Sequence, residues 1–484
     1  METTALRARL ADAPWWTWVA LGTVGSLGLA LAGSATGAVP RPSFYRWWFD
    51  VPLGGYRGAH VVLYVAMSLL GVAWLGLGVL ARRGGLTRRR TLATFVAWAA
   101  PLFAGAPLFS RDVYSYIAQG KLAVAGLNPY HVAPSALAHD TLYYSLAVVW
   151  RDTPSPYGPL FVALTHLGAS VGGSRLIGLV LVFRAIELGG LVLGAWALTS
   201  IARHLSANEG VALWLGVLSP LALLSDVSAA HNDTVMIGLL LAGVALSLRG
   251  ARRGAVAIIA VAAAVKLPAL AGVAVLTLRD LRGVTWRRGV YLVIEASLIT
   301  TFVIAASTAL NGFGWVWASP HALAIPSELR TLASPSVSVG AFLAATLRVV
   351  GAHSLSTHAV VTVVQRVFDV ATLGAIVLAL LKVRADNGVR VLGAVLLAVV
   401  LGGPTLWPWY LLWGLSVLAA TSAQSARALA ASALGATLLV GPGGSPMLGG
   451  NAYLVSAPLV AGGLYWLVRH GHWREIVEGV DRVS

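Results

Sequence analysis

Apolar stretches long enough to cross a bilayer recur from Trp15 almost to the C-terminus, separated by short arginine clusters rather than by hydrophilic domains. A span needs about 20 mostly apolar residues. Continuous apolar runs of that length satisfy their backbone inside lipid only as helices. Of the 484 residues, 58% are hydrophobic and 11% are Asp, Glu, Lys or Arg, against roughly 25% charged residues in a soluble domain, which excludes a large soluble fold. No charge-rich or Pro/Ser-rich linker divides the chain. The expected fold is therefore all-α and polytopic, a single membrane domain over residues 1–484.

The formal net charge of +16 raises nucleic-acid binding, but most basic residues lie between spans. There they mark loops kept in the cytoplasm, and the expected partner is the lipid bilayer, with no nucleic acid. Cysteine is absent, so disulfide, iron–sulfur and thiolate-metal chemistry are excluded. The Ala, Gly, Val and Arg richness suits a GC-rich bacterium. Arg7 and Arg9 precede the first apolar run, as in a signal peptide, but its near-span length favours a retained helix.

With Arg7 and Arg9 inside, spans over residues 15–34, 60–81 and 91–109 carry the chain out, back to the cluster Arg82, Arg83, Arg88, Arg89 and Arg90, and out again. Residues 110–159 then form a long external loop. Keeping the later Arg-rich turns on one side requires the short segment 160–172, and with it 339–350, to dip or lie in the interface. The stretch 255–278 contains Lys266-Leu267-Pro268 at its middle. A continuous helix there would bury an amine and lose a backbone donor, so two half-helices with their apex at Lys266 are expected. The count comes to about 13–15 membrane segments with both termini cytoplasmic. Other external loops are expected at 35–57, 225–232, 311–337, 404–410 and 441–451. No internal repeat stands out, which disfavours a transporter built from inverted halves.

The 110–159 loop carries the best cluster of polar residues. Asp112, Tyr116 and Gln119 recur at spacings of four and three, which places them on one helical face behind a Ser110 cap. A carboxylate so placed suits a general base for a hydroxyl nucleophile; the alternative is a cap, or a pair with Arg111 or Lys121. Arg111 lies off that face, where it suits lipid headgroups. Asn128-Pro129-Tyr130 and Tyr157 in Pro156-Tyr157-Gly158-Pro159 combine turn formation with rings that stack on a sugar, or with an aromatic belt. His231-Asn232-Asp233, after Ser225-Asp226, is more than a helix cap requires and reads as substrate-facing, with no second ligand at metal-binding spacing. Lys266 is the leading phosphate contact, unless Asp112, Asp226 or Asp233 pairs with it. Arg330 is a second phosphate candidate or a headgroup anchor. Trp407, Trp409 and Tyr410 form a rigid aromatic rim around Pro408. Asp50 is a rival carboxylate in a loop with less polar company.

These motifs, PLFSRDVYSYIAQG followed by GLNPY and YGPL, His231-Asn232-Asp233, the Lys266-Pro268 break and PTLWPWYLLW, resemble in their order the GT-C membrane glycosyltransferases. Within that class they resemble the actinobacterial polyprenol-phosphomannose-dependent α-1,6-mannopyranosyltransferases of lipomannan synthesis. The resemblance implies that Asp112 is the catalytic aspartate of an inverting single displacement. It further implies a polyprenyl-phosphate-mannose donor, a mannan or lipomannan acceptor, no metal or other cofactor, and a site on the external face of the bacterial plasma membrane. Lys266 or Arg330 would stabilise the leaving phosphate. The competing reading is a transporter or flippase of a lipid-linked sugar.

Overall fold

The computed structural model describes residues 13–39, 53, 55–351, 354–421 and 426–445. Asp50, most of the 35–57 loop, residues 446–451 and the tail from Arg469 lie outside the described residues. Among the described residues the elements are all helical and no sheet forms. Five helices are long and apolar enough to cross a membrane: Trp15–Thr36, Gly55–Arg82, Leu176–His204, Trp286–Asn311 and Thr357–Leu381. The pair Glu209–Gly216 and Pro220–Ser228, bent by 43°, makes a sixth if taken as one span. Phe302, Leu310, Val370 and Leu381 stand exposed on two of these helices, as lipid-facing surface permits and water would penalise. The protein is a polytopic all-α membrane protein.

The difference between these long helices and the 13–15 expected segments lies in pieces of 10–17 residues, including Pro159–Val171, Asp233–Leu248 and Pro335–Val349. The third expected span is one such case. Thr87 caps Arg88–Ala104 by accepting from the Arg90 N–H, and the helix ends at Gly105 rather than at 109. Pro107 cannot continue it, and Arg184 takes up the Phe103 and Gly105 carbonyls left at its end.

At the expected break, Arg252–Val265 stops at Lys266, whose backbone is extended at φ −154°, and Leu270–Asp280 resumes after a short 3-10 turn. Arg252 at one end meets Asp280 at the other, Nε to Oδ2 at 3.2 Å. The two half-helices therefore return to the same level, with Lys266 at the tip of the hairpin. Elsewhere, Trp74 and Trp214 stack at 4.7 Å and each donates its indole N–H to the other's carbonyl. That reciprocal pair locks Gly55–Arg82 to Glu209–Gly216 without leaving a buried donor unmet.

Candidate active site

Two loops, the segment 407–413 and the hairpin tip converge. The first loop enters through Phe109, in the left-handed region at φ 64°, with its N–H on the Pro442 carbonyl at 2.8 Å. Ser110 then accepts from the Asp112 N–H at 3.1 Å and opens the helix Asp112–Val124. Arg111 does not reach for lipid headgroups. Its guanidinium donates to the carbonyls of Val39, Ser145 and Gly443, because a five-donor fork suits converging loops whose carbonyls lack helical partners.

Asp112, Tyr116 and Gln119 are all buried and share one face of the helix, but they serve different neighbours. Asp112 Oδ1 accepts from the Trp150 indole at 2.8 Å, and its Oδ2 lies 3.4 Å from His231 Nδ1. Tyr116 meets Asn232 Oδ1 at 3.4 Å, whereas Gln119 accepts from Ser155 at 2.9 Å and props the following loop. Behind this face, a Cβ at Gly120 would lie 2.2 Å from the Thr165 carbonyl; only glycine lets this helix approach Pro159–Val171 so closely.

The second loop follows a π-helical turn, Leu223–Ser228, and enters through Ala230 at φ 57°. Left-handed non-glycine residues cost of order 1–3 kcal/mol and persist where the surroundings over-determine them. Here they aim Asp112 and His231-Asn232-Asp233 at each other. His231 is 1% exposed and stacks on Trp409 at 3.7 Å, which stacks on Trp407 at 5.2 Å. It lies close to Asp112, but neither ring nitrogen is aligned as a hydrogen bond.

Lys266 pairs with Asp233, Nζ to Oδ1 at 2.8 Å, and the same oxygen accepts from the Trp413 indole. The ammonium also lies 4.3 Å from the Tyr410 ring centre and 5.1 Å from that of Trp413, so two π faces compensate its burial. It borders an open cavity of about 750 Å³ with Trp150, Tyr157, Trp317, Tyr410 and Trp413. Gly158 packs against the hairpin tip: its N–H donates to the Val265 carbonyl at 3.1 Å, and a Cβ there would lie 2.3 Å from the Ala264 carbonyl. Burial, and then the neighbouring Asp112 charge, push the Tyr157 phenol well above its ordinary value, so it remains a neutral donor at the cavity wall.

Of the expected residues, Tyr157, Lys266 and Tyr410 line this cavity, and the Asp112 and His231-Asn232-Asp233 cluster stands behind its Trp150 and Trp413 walls; three others lie apart from both. Asn128 closes its own turn by accepting from the Tyr130 N–H at 3.0 Å, and Tyr130 packs with Val162 and Trp317. Arg330 lines a different cleft. Asp226, from the other sequence motif, faces a separate gap between helices. The sequence reading passes over Trp150, which sits in a stretch without local pattern, and Trp413, whose position three residues after Tyr410 places it on the same helical face. It also passes over Arg184 and Glu187, two ionisable residues inside the apolar span Leu176–His204 and a signal in themselves. Arg184 donates to Phe103, Gly105 and Ser228 carbonyls, and so ties the entry to the Asp112 loop to the π turn before His231. Among the described residues, no three His, Cys, Asp or Glu side chains are arranged to hold a metal ion.

Comparison with known proteins identifies the family. The profile described as alpha-(1->6)-mannopyranosyltransferase, N-terminal domain, matches residues 19–282, and that of the MptB C-terminal domain matches residues 336–470. The chain is 32% identical to alpha-(1->6)-mannopyranosyltransferase A of Mycobacterium tuberculosis over 85% of its own length and 81% of the relative's. It is 28% identical to alpha-(1->6)-mannopyranosyltransferase B of Corynebacterium glutamicum, over 84% of the chain and 73% of the relative. No solved structure matches it. The chain belongs to the alpha-(1->6)-mannopyranosyltransferase family of GT-C membrane glycosyltransferases.

Proposed function

We propose that the protein transfers mannose from polyprenyl-phosphate-mannose to the 6-hydroxyl of a mannan or lipomannan acceptor on the external face of the membrane, with Asp112 as general base. The observation that carries this reading is the double role of Trp150, which holds Asp112 with its indole N–H and walls the cavity containing Lys266. The base is thus held, through one indole ring, against the wall of the space that the cation borders.

In the step proposed, Asp112 accepts the proton of the acceptor hydroxyl as its oxygen bonds to the anomeric carbon. The bond from that carbon to phosphate breaks, polyprenyl phosphate leaves, and a β-linked donor yields an α-linked product. Lys266 uses N–H donors beyond the one directed at Asp233 to stabilise the charge on the departing phosphate. Tyr157, held neutral, donates toward the sugar or phosphate, and Tyr410 with Trp413 forms an aromatic wall. The prenyl chain stays in the bilayer while its phosphosugar enters the cavity.

Purified protein incubated with polyprenyl-phosphate-mannose and a mannoside acceptor tests the proposal through linkage analysis of the product. A new α-1,6-linked mannose is expected. Unchanged acceptor, under conditions where a known transferase of this kind works, would favour a transporter or flippase instead.

A further inference from the structure

Two chain segments form a partition beside the Lys266 cavity. The Thr331 N–H donates to the Pro404 carbonyl at 3.1 Å. The Leu406 N–H donates to the Thr331 hydroxyl at 3.0 Å, and that hydroxyl donates to the Leu406 carbonyl at 3.1 Å. Leu329 and Thr405 face the Lys266 cavity, whereas Glu328, Arg330 and Pro404 face the opposite way, into a second cleft of about 840 Å³. The far wall of that cleft is the helix Thr357–Leu381, which contributes His358, Gln365, Arg366 and Asp369.

This helix is long and apolar enough to cross a membrane. Gln365 lies eight residues into it, roughly 12 Å at 1.5 Å per residue. Polar residues at such a position face a protein interior or an aqueous path and mark where polar ligands run. Gln365 is only 8% exposed, and its Oε1 has no hydrogen-bond partner. A buried acceptor of this kind costs about 1–3 kcal/mol unless a donor meets it.

The remaining groups indicate the donor's chemistry. Arg330 and Arg366 balance Glu328 and Asp369 in formal charge, Arg330 already donates to Thr362 at 2.9 Å, and Arg366 lies 3.4 Å from Asp369. A phosphate brings acceptors only, so it would leave Gln365 Oε1 unmet and repel the two carboxylates. A hydroxyl both donates and accepts, and a hexose presents several.

We infer that this cleft is a second saccharide subsite, taking a non-reacting hexose of a membrane-anchored glycan while the reacting end enters the Lys266 cavity across the partition. The inference rests on the mannosyl-transfer reading for the identity of the sugar. Its position part-way along a membrane-crossing helix selects a glycan held at the bilayer over one free in solution.

Full-length protein in lipid nanodiscs, without donor, should bind an α-1,6-linked mannotetraose about tenfold more tightly than the dimannoside, the worth of roughly 1.4 kcal/mol. Gln365→Leu, of similar volume, should collapse that difference, and Asp369→Asn, a change at a partly exposed position, should reduce it. Equal affinity for both lengths in the parent protein overturns the inference, as does a preference that survives both substitutions in protein with an unaltered thermal midpoint. The same measurement is repeated in nanodiscs containing anionic phospholipid. If Gln365→Leu alters stabilisation by that lipid while no length preference exists, the cleft holds a phosphate headgroup and the inference fails. Because no turnover is required, length-dependent binding without mannosyl transfer would sink the proposed reaction and leave the subsite standing.

Discussion

Trp150 donates its indole N–H to Asp112 Oδ1 at 2.8 Å while its ring walls the cavity that contains Lys266. One side chain thereby fixes both the direction of the carboxylate and the boundary of the space it would serve. Trp150→Phe keeps most of the ring and removes the N–H. A hydrogen bond to a charged group contributes about 1.5–3 kcal/mol, so kcat is expected to fall by about 10- to 100-fold, with KM for the donor changing far less. Steady-state kinetics on the two proteins checks this, and an equal rise in KM at unchanged kcat would assign Trp150 to binding alone.

Lys266 is partly buried and Asp233 fully so, and removing the lysine strands a buried carboxylate at a cost of up to about 3–5 kcal/mol. Lys266→Met should therefore lower the thermal midpoint as well as impair donor use. The double substitution Lys266→Met with Asp233→Asn should recover much of the midpoint but not the donor KM. Thermal unfolding alongside donor titration separates the two effects; recovery of both would make Lys266 a structural residue only.

Gly158 approaches the hairpin tip too closely for a side chain, with a Cβ contact of 2.3 Å to the Ala264 carbonyl. Because that contact is backbone, it yields only if a loop moves. Gly158→Ala is expected to displace Tyr157 from the cavity and destabilise by about 1–3 kcal/mol, as overpacking does. Denaturation midpoints and donor KM should both worsen; a variant indistinguishable from the parent would show that the loop is not seated as described.

Asp140 sits outside the spans, pairing with Lys121 at 2.6 Å and accepting from the Leu142 N–H. Burial pushes its carboxyl up, but the Lys121 ammonium and the hydrogen bonds outweigh that and hold it below its ordinary value. A folded-state pKa lower than the unfolded one contributes stability above the unfolded value, lost as pH falls through the folded value. Asp140→Asn keeps the cap and loses the charge. It should destabilise the loop by under about 1 kcal/mol near neutrality, given the exposure of the pair, and by nothing near pH 2. Thermal midpoints across pH 2–7 test the sign.

Apolar run length made the helical architecture readable from the sequence. Arginine clusters bounded the helices, and the conflict between Lys266, Pro268 and a continuous span indicated the hairpin that Arg252 and Asp280 close. The helical spacing of Asp112, Tyr116 and Gln119 also held, because it is local. What the sequence could not reveal is which loops meet. Trp150 lies 38 residues from Asp112 and Trp413 lies 180 from Asp233, and nothing in local pattern encodes such pairings. Arg330 illustrates the converse: a cation in an expected external loop looked suited to the donor, yet the Thr331–Pro404 hydrogen bond turns it into a different cleft. Helix ends were misjudged where a tertiary partner decides them, as Arg184 does beyond Ala104.

The most direct test of the account is mannosyl transfer by Asp112→Asn, measured as α-1,6-linked product from polyprenyl-phosphate-mannose in protein shown to retain the parent's thermal midpoint. The amide can still accept from Trp150 but is too weak a base to take the acceptor proton, so product formation is expected to fall by at least about 10²–10⁴-fold. Turnover at the parent's rate would contradict the assignment of Asp112 as base and move that role to another carboxylate, with Asp50 the first to examine.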